Sequence, residues 1–204
     1  VNDGRRRKRY SQRKVLDNVI VGFGHRARVG KDTAGDCLVA QGWERLAFAD
    51  LVRQVLYVLD PVVDPVSTNY YFCLKNMVDT MGWEMTKENT EVRGLLQKLG
   101  HGLREILDPG VWCRPVVDKA ELLDEDGVNV VITDVRYINE IEAIWQAGGR
   151  VYRIDRAVPH LSHPGEEQLD EFQGWDGIID NNGSIEDLDS QVRALVMDYT
   201  LDVD

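Results

Sequence analysis

From Asn18 to Val21 the chain presents an apolar, β-branched run of the kind found in a parallel strand covered on both faces. A glycine-rich turn follows. A helix is then predicted over about Lys31–Gln41, closed by Gly42. Trp43–Phe48 reads as a second strand, and Asp50 as the cap of a helix running to about Leu59. The stretch DPVVDPVSTN punctuates the chain, and residues 68–125 read as two or three helices with no strand among them. Strands return at Val128–Thr133 and Arg150–Ile154, separated by a helix over Ile138–Ala147 that ends in Gly148-Gly149. A polar loop fills 156–175, Gly177–Ile179 forms a short last strand, and Ser184 with Asp187 approximates a capping box for a final helix. This alternation predicts an α/β fold: a parallel sheet wrapped by helices, with helical material inserted after the second strand.

The turn after the first strand carries the sharpest chemistry. In VIVGFGHRARVGKDT, Gly30-Lys31 is followed by Thr33, as in a phosphate-binding P-loop. Polyphosphate is a dense anion, so such a turn aims backbone N–H groups inward, which glycine permits, and the helix N-terminus adds partial positive charge. Lys31 would reach the β- and γ-phosphates of ATP, and the Thr33 hydroxyl would bond phosphate or a magnesium-bound water. Arg28, Gly30 and Asp32 complete the candidate phosphate-binding set. The spacing departs from the usual one: five residues separate Gly24 from Gly30, and His25 stands where the first glycine is expected. Asp32 follows the lysine directly, where a magnesium-binding Ser or Thr is common.

Two other readings of the turn stay open. Gly22-x-Gly24-x-x-Ala27, with Glu44 22 residues past Gly22, fits a dinucleotide-binding turn and so an NAD(P)-dependent oxidoreductase. That reading starts the helix near Gly24 and buries Gly30 inside it, at a cost of about 1 kcal/mol relative to alanine. The other is a turn that binds nothing.

Asp134 ends the apolar run Val130–Thr133, at the crevice where open α/β sheets bind ligands. Beside a P-loop it would hold magnesium through water, and Arg136 would reach a phosphate oxygen. The alternative is a cap for the following helix. Over residues 91–107, Val92, Leu95, Leu96, Leu99, Leu103, Ile106 and Leu107 share one stripe at about 100° per residue. Arg93, Gln97, His101 and Arg104 gather within roughly an 80° arc elsewhere on the helix. Guanidinium forks suit a monophosphate and an amide can read a base edge; a solvated polar face is the competing reading. The 156–175 loop holds Arg156, His160, His163, Glu166, Glu167 and Asp170, with Arg153 in the strand before it. It reads as a lid whose arginines meet a moving phosphoryl group, as a surface loop, or as a metal site of His160, His163 and Glu166, though no strong zinc spacing is present.

Charge refines this picture. The chain of 204 residues carries a net charge of −11, yet residues 1–17 hold seven basic groups against Asp3 and Asp17, leaving the remainder at −16. An acidic body repels a nucleic-acid backbone, so stable nucleic-acid binding is not expected and the basic arm reads as a flexible terminus. A nucleic-acid module rests on that arm alone. Three scattered cysteines (Cys37, Cys73, Cys113) offer neither a disulfide framework nor a zinc set. No apolar run approaches the about 18 residues of a spanning helix, and no secretory block precedes residue 30, so a cytoplasmic protein is expected.

Taken together these segments resemble the bacteriophage deoxynucleoside monophosphate kinases, within the P-loop nucleoside monophosphate kinase group. The similarity covers about 18–197 and rests on GHRARVGKDTAGDCL, FADLVRQVL, RGLLQKLGHGLREILDPGVW, VVITDVRYINEIEAI and HPGEEQL with IIDNNGSIEDL; GKDT and TDVR are the most specific. The resemblance implies a P-loop three-layer fold with a five-stranded parallel sheet, a helical substrate-binding insert over about 60–125 and a lid over about 156–175. It implies ATP and Mg2+ as cofactors, a small nucleoside monophosphate as acceptor, and leaves room for a homodimer. Lys31 and Thr33 take the place of donor-phosphate ligands, and Asp134 that of the metal-side acid. Asp50, Arg53, Arg93, Gln97 and Arg104 take that of acceptor contacts, and Arg136, Arg153 and Arg156 of phosphate contacts. His163 and Glu166 fall in the substrate-side loop, where the family run has a serine near Gly165. The expected reaction is transfer of the γ-phosphoryl of ATP to a deoxynucleoside 5′-monophosphate; a P-loop ATPase without a nucleotide acceptor is the alternative that uses the same Lys31.

Overall fold

The computed structural model describes residues 19–63, 72–157 and 169–201, the last five of these as backbone only. Strand β1 (Ile20–Gly24) leads through a turn into α1 (Lys31–Val39), then β2 (Glu44–Leu46) and α2 (Phe48–Leu59). A two-stranded antiparallel ribbon, β3 (Val62–Val63) with β4 (Phe72–Cys73), precedes α3 (Leu74–Thr86), α4 (Thr90–Ile106) and α5 (Cys113–Glu125). The chain then returns through β5 (Val130–Val135), α6 (Ile138–Gln146), β6 (Arg150–Asp155), β7 (Gly177–Asp180) and α7 (Ile185–Leu201).

The main sheet has five parallel strands in the order β2-β5-β1-β6-β7. Its strands are apolar on both faces because both faces are covered. On one side Val21, Phe23, Val131 and Ile154 meet Ala34 and Leu38 of α1 and Leu188 and Val192 of α7. On the other, Ile20, Ile132, Val135 and Val151 meet Val116, Val117 and Ala120 of α5 and Ile141 and Ile144 of α6. A third cluster, Leu56, Val63, Leu74 and Val92 with Leu95, Leu96 and Leu99, joins α2, α3 and α4 beside the sheet. The apolar stripe of α4 is thus used in its first half, while Ile106 and Leu107 are exposed.

Several boundaries differ from the sequence reading. Strand β1 runs three residues further, to Gly24, and β5 two further, so Asp134 lies within the strand. The ribbon strand β4 falls in a region read as wholly helical; a two-residue strand carries too short a pattern to register. Asp50 does not cap α2. The N-cap is Ala47, Asp50 lies in the first turn, and the Asp134 carboxylate does the capping from β5. The Ser184 box forms as expected: Ser184 N donates to Asp187 Oδ2 (2.9 Å) and Asp187 N to Ser184 Oγ (3.2 Å).

Candidate active site

The parallel sheet brings its carboxyl ends to one edge. Gly24 is in register with Val135 of β5 and Arg153 of β6, and Asp155 with Asp180 of β7. The turn 25–30 and residues 134–136, 153–156 and 181 therefore converge at the crevice where α/β sheets bind ligands.

The turn runs directly into a helix N-terminus. Helix α1 begins at Lys31, and Gly30 caps it in the left-handed conformation (φ 99°, ψ 24°). A Cβ there would come within 2.2 Å of Asn181 Nδ2, so only glycine fits. That amide, past the tip of β7, donates to Val29 O (2.7 Å) and braces the turn from below. Lys31 is buried and folds back over the loop, its Nζ donating to His25 O (3.0 Å) and Arg26 O (2.5 Å). His25, standing where a glycine was expected, takes a glycine-like φ of 101°, and Arg28 one of 64°. Burial, with the Arg153 charge second, holds the His25 imidazole below its ordinary pKa. Thr33 stands exposed on the first turn of α1. The Asp32 carboxylate turns away to Arg45 Nη2 (3.1 Å), leaving that residue only its backbone to offer a phosphate. Because residues 25–30 form a turn and Gly30 is a cap, the dinucleotide-binding reading, which needs helix from about Gly24, is overturned.

At the tip of β5, Asp134 accepts from Phe48 N through Oδ1 and from Ala49 N through Oδ2, both at 2.8 Å. It caps α2, not the helix that follows it in sequence. Desolvation pushes its carboxyl up, opposed by these two N–H groups and by Arg136. Arg136 itself donates its backbone N–H to Glu140 Oε2 (2.8 Å), as does Tyr137 (3.1 Å). The same Glu140, 1% exposed, receives Arg104 Nη2 at Oε1 (2.6 Å), and the Arg104 guanidinium lies 4.1 Å from the centre of the Tyr137 ring. At β6, Arg153 donates from Nε and Nη2 to Asp155 Oδ1, both at 2.9 Å, and Arg156 is exposed.

The polar arc of α4 therefore divides. Arg104 packs onto the core, whereas Arg93, Gln97 and His101 are exposed, Arg93 lying 3.5 Å from Glu88 and His101 3.4 Å from Glu105. Asp50 and Arg53 face a different space, a cleft of about 470 Å³ between α2 and α3 that Tyr57, Asp79 and Trp83 also line. Arg53 reaches Asp50 (3.3 Å) and Glu84 (3.8 Å), and Tyr57 donates to Asp79 (2.8 Å). His163, Glu166 and the basic arm lie outside the described residues. Sequence reasoning passed over Asn181 and Glu140. A polar residue just past an apolar strand, the signal used for Asp134, is present at Asn181 in IIDNN.

A family model described as deoxynucleotide monophosphate kinase matches residues 64–192. A putative deoxynucleotide monophosphate kinase of Acanthamoeba polyphaga mimivirus is 38% identical over 69 residues, 33% of this chain and 36% of that protein, so the aligned part spans little more than a third of that relative. Uncharacterized protein ORF77 of Ictalurid herpesvirus 1 (strain Auburn) is 26% identical over 196 residues, 92% of this chain and 74% of that protein. Among solved structures, dephospho-CoA kinase from Campylobacter jejuni shares the fold, with a TM-score of 0.51 at 13% identity over 89% of this chain and 97% of that one. Among the described residues no helix is long and apolar enough to cross a membrane. With more than half of its length matched by the family model, the chain belongs to the deoxynucleotide monophosphate kinase family.

Proposed function

We propose that the protein transfers the γ-phosphoryl of ATP to a deoxynucleoside 5′-monophosphate, giving ADP and the deoxynucleoside diphosphate. The observation that carries this reading is the turn itself: a left-handed Gly30 opening α1, with the Lys31 ammonium lying over it at the carboxyl edge of a parallel sheet. Backbone N–H groups of the turn and Lys31 hold the donor phosphates, and Lys31 exchanges its two carbonyl acceptors for phosphate oxygens.

The acceptor lies in the cleft between α2 and α3, with Asp50 and Arg53 beside it. Arg93 and Gln97, on the exposed face of α4, are further candidate contacts outside the lining of that cleft, and Arg136, Arg153 and Arg156 are assigned to the phosphate side. A phosphate oxygen of the acceptor attacks the γ-phosphorus, the bond to the β,γ-bridging oxygen breaks, and ADP leaves. That oxygen is already deprotonated near neutral pH, so the chain supplies alignment and positive charge, with no general base.

Magnesium fits the donor set. The ion takes one or two protein oxygens besides substrate phosphates and water. The Thr33 hydroxyl and the Asp134 carboxylate are hard-oxygen donors of that number, and each Asp134 oxygen has a lone pair beyond the one spent on α2. When bound, the ion neutralises charge on the phosphate oxygens.

The test is ADP release from ATP with a panel of deoxy- and ribonucleoside monophosphates and without any. Release that requires a deoxynucleoside monophosphate supports the proposal; release at the same rate without an acceptor makes the protein an ATPase and contradicts it.

A further inference from the structure

His25 holds a backbone conformation that a residue with a side chain rarely adopts, φ 101°, at the position where a P-loop has glycine. Such strain persists only where the surroundings over-determine it. Here the determinants come from far along the chain. The imidazole is 7% exposed, with Nδ1 3.3 Å from Asp155 Oδ1 and Nε2 3.6 Å from Asp170 Oδ1. It meets the Trp175 ring edge to face, centroids 6.5 Å apart at 79°. Arg26, the next residue, grips Asp170 with a two-pronged pair, Nε to Oδ1 at 2.8 Å and Nη2 to Oδ2 at 2.7 Å. Trp175 is fixed in turn by its Nε1 donating to Phe172 O (3.0 Å), and its ring fills the space over Gly24, where a Cβ would lie 2.6 Å from it.

Residues 25 and 26 are also the pair whose carbonyls receive the Lys31 ammonium. Their side chains look outward to Asp170 while their backbone looks inward to the lysine. From this we infer that Asp170 is a positioning residue of the ATP site: by gripping Arg26, next to the packed His25 ring, it imposes the backbone shape that places Lys31. It touches no substrate and acts through the turn. The inference rests on reading that turn as the ATP site.

The obvious objection is that Asp170 only stabilises the fold, and glycine separates the two roles. Glycine adopts a φ of 101° without restraint, so it removes the need for a clamp without restoring any lost contact. ATP and acceptor affinities are measured by titration calorimetry on the full chain. Asp170→Asn and Arg26→Gln are each expected to weaken ATP about tenfold while leaving the acceptor within about twofold. His25→Gly combined with Asp170→Asn is expected to recover most of that loss. Should Asp170→Asn not fold, Arg26→Gln alone and paired with His25→Gly gives the same reading from the other partner. Unaltered ATP affinity in the single variants, or no recovery with glycine, overturns the inference. Wild-type protein that binds no ATP removes the ATP-site reading and this one with it, whereas wild-type binding with indifferent variants removes this one alone.

Discussion

Arg104 of α4 and Glu140 of α6 meet at 2.6 Å where the helical segment between the ribbon and β5 rests on the sheet core, and both are largely buried. Glu140 spends its second oxygen on the N–H groups of Arg136 and Tyr137, so one carboxylate joins α4 to the residues that follow the tip of β5. Removing the guanidinium strands that carboxylate. Arg104→Ala is expected to cost about 3 kcal/mol in denaturant unfolding at pH 8, the size found when one member of a buried pair is lost. Arg93→Ala, at an exposed site, should stay within about 0.5 kcal/mol of wild type. Equal effects at the two positions would mean that the Arg104 pair is solvated.

Glu140 also makes stability depend on pH. Burial raises its carboxyl from an ordinary 4.5 to about 7, although Arg104 pulls the other way. The folded state therefore holds this proton more tightly than the unfolded one. The stability it contributes is complete below about pH 4.5 and is lost as pH rises through about 7. Glu140→Gln abolishes the titration. The stability of wild type relative to that variant should fall between pH 4.5 and 7 and level off above, as followed by thermal melts in steps of pH. A difference that grows with pH would show Arg104 holding the carboxylate ionised throughout.

How much of this was legible in the sequence depends on where each determinant lies. Gly30, Lys31 and Thr33 lie within four successive residues between a strand and a helix, so the turn was readable as a turn. Asp134 was readable as an acid ending an apolar strand, but its bonds to Phe48 and Ala49 come from a helix 85 and 86 residues away. Glu140 reads as an ordinary helix charge until α4 lays Arg104 over it. His25, with its positive φ, is likewise surrounded by Asp155, Asp170 and Trp175, neighbours that no local pattern reveals.

Asn181 offers a separate handle on the turn. Its Nδ2 donates to the Val29 carbonyl, and both residues are buried. Asn181→Ala leaves that oxygen without this donor, at a cost of about 1–3 kcal/mol. The Michaelis constant for ATP should rise with it, because the freed carbonyl belongs to the residue before Gly30. Steady-state kinetics with ATP varied, alongside denaturant unfolding, checks both parts; a stability loss with unchanged ATP dependence would confine Asn181 to the fold.

Lys31→Ala should lower turnover by at least about 100-fold, since in the proposed transfer the ammonium would meet the charge that develops between donor and acceptor. Its two acceptors in the turn are carbonyls at the crevice, so the thermal midpoint should move by only a few degrees. Near-normal turnover would take the turn out of the chemistry.

Following the phosphorus atom tests the proposed transfer between two nucleotides most directly. With ATP labelled at the γ-phosphate and a deoxynucleoside monophosphate in excess, the label should appear in the β-position of the deoxynucleoside diphosphate, one for each ADP formed. Label recovered as inorganic phosphate, with the monophosphate unchanged, would contradict the account.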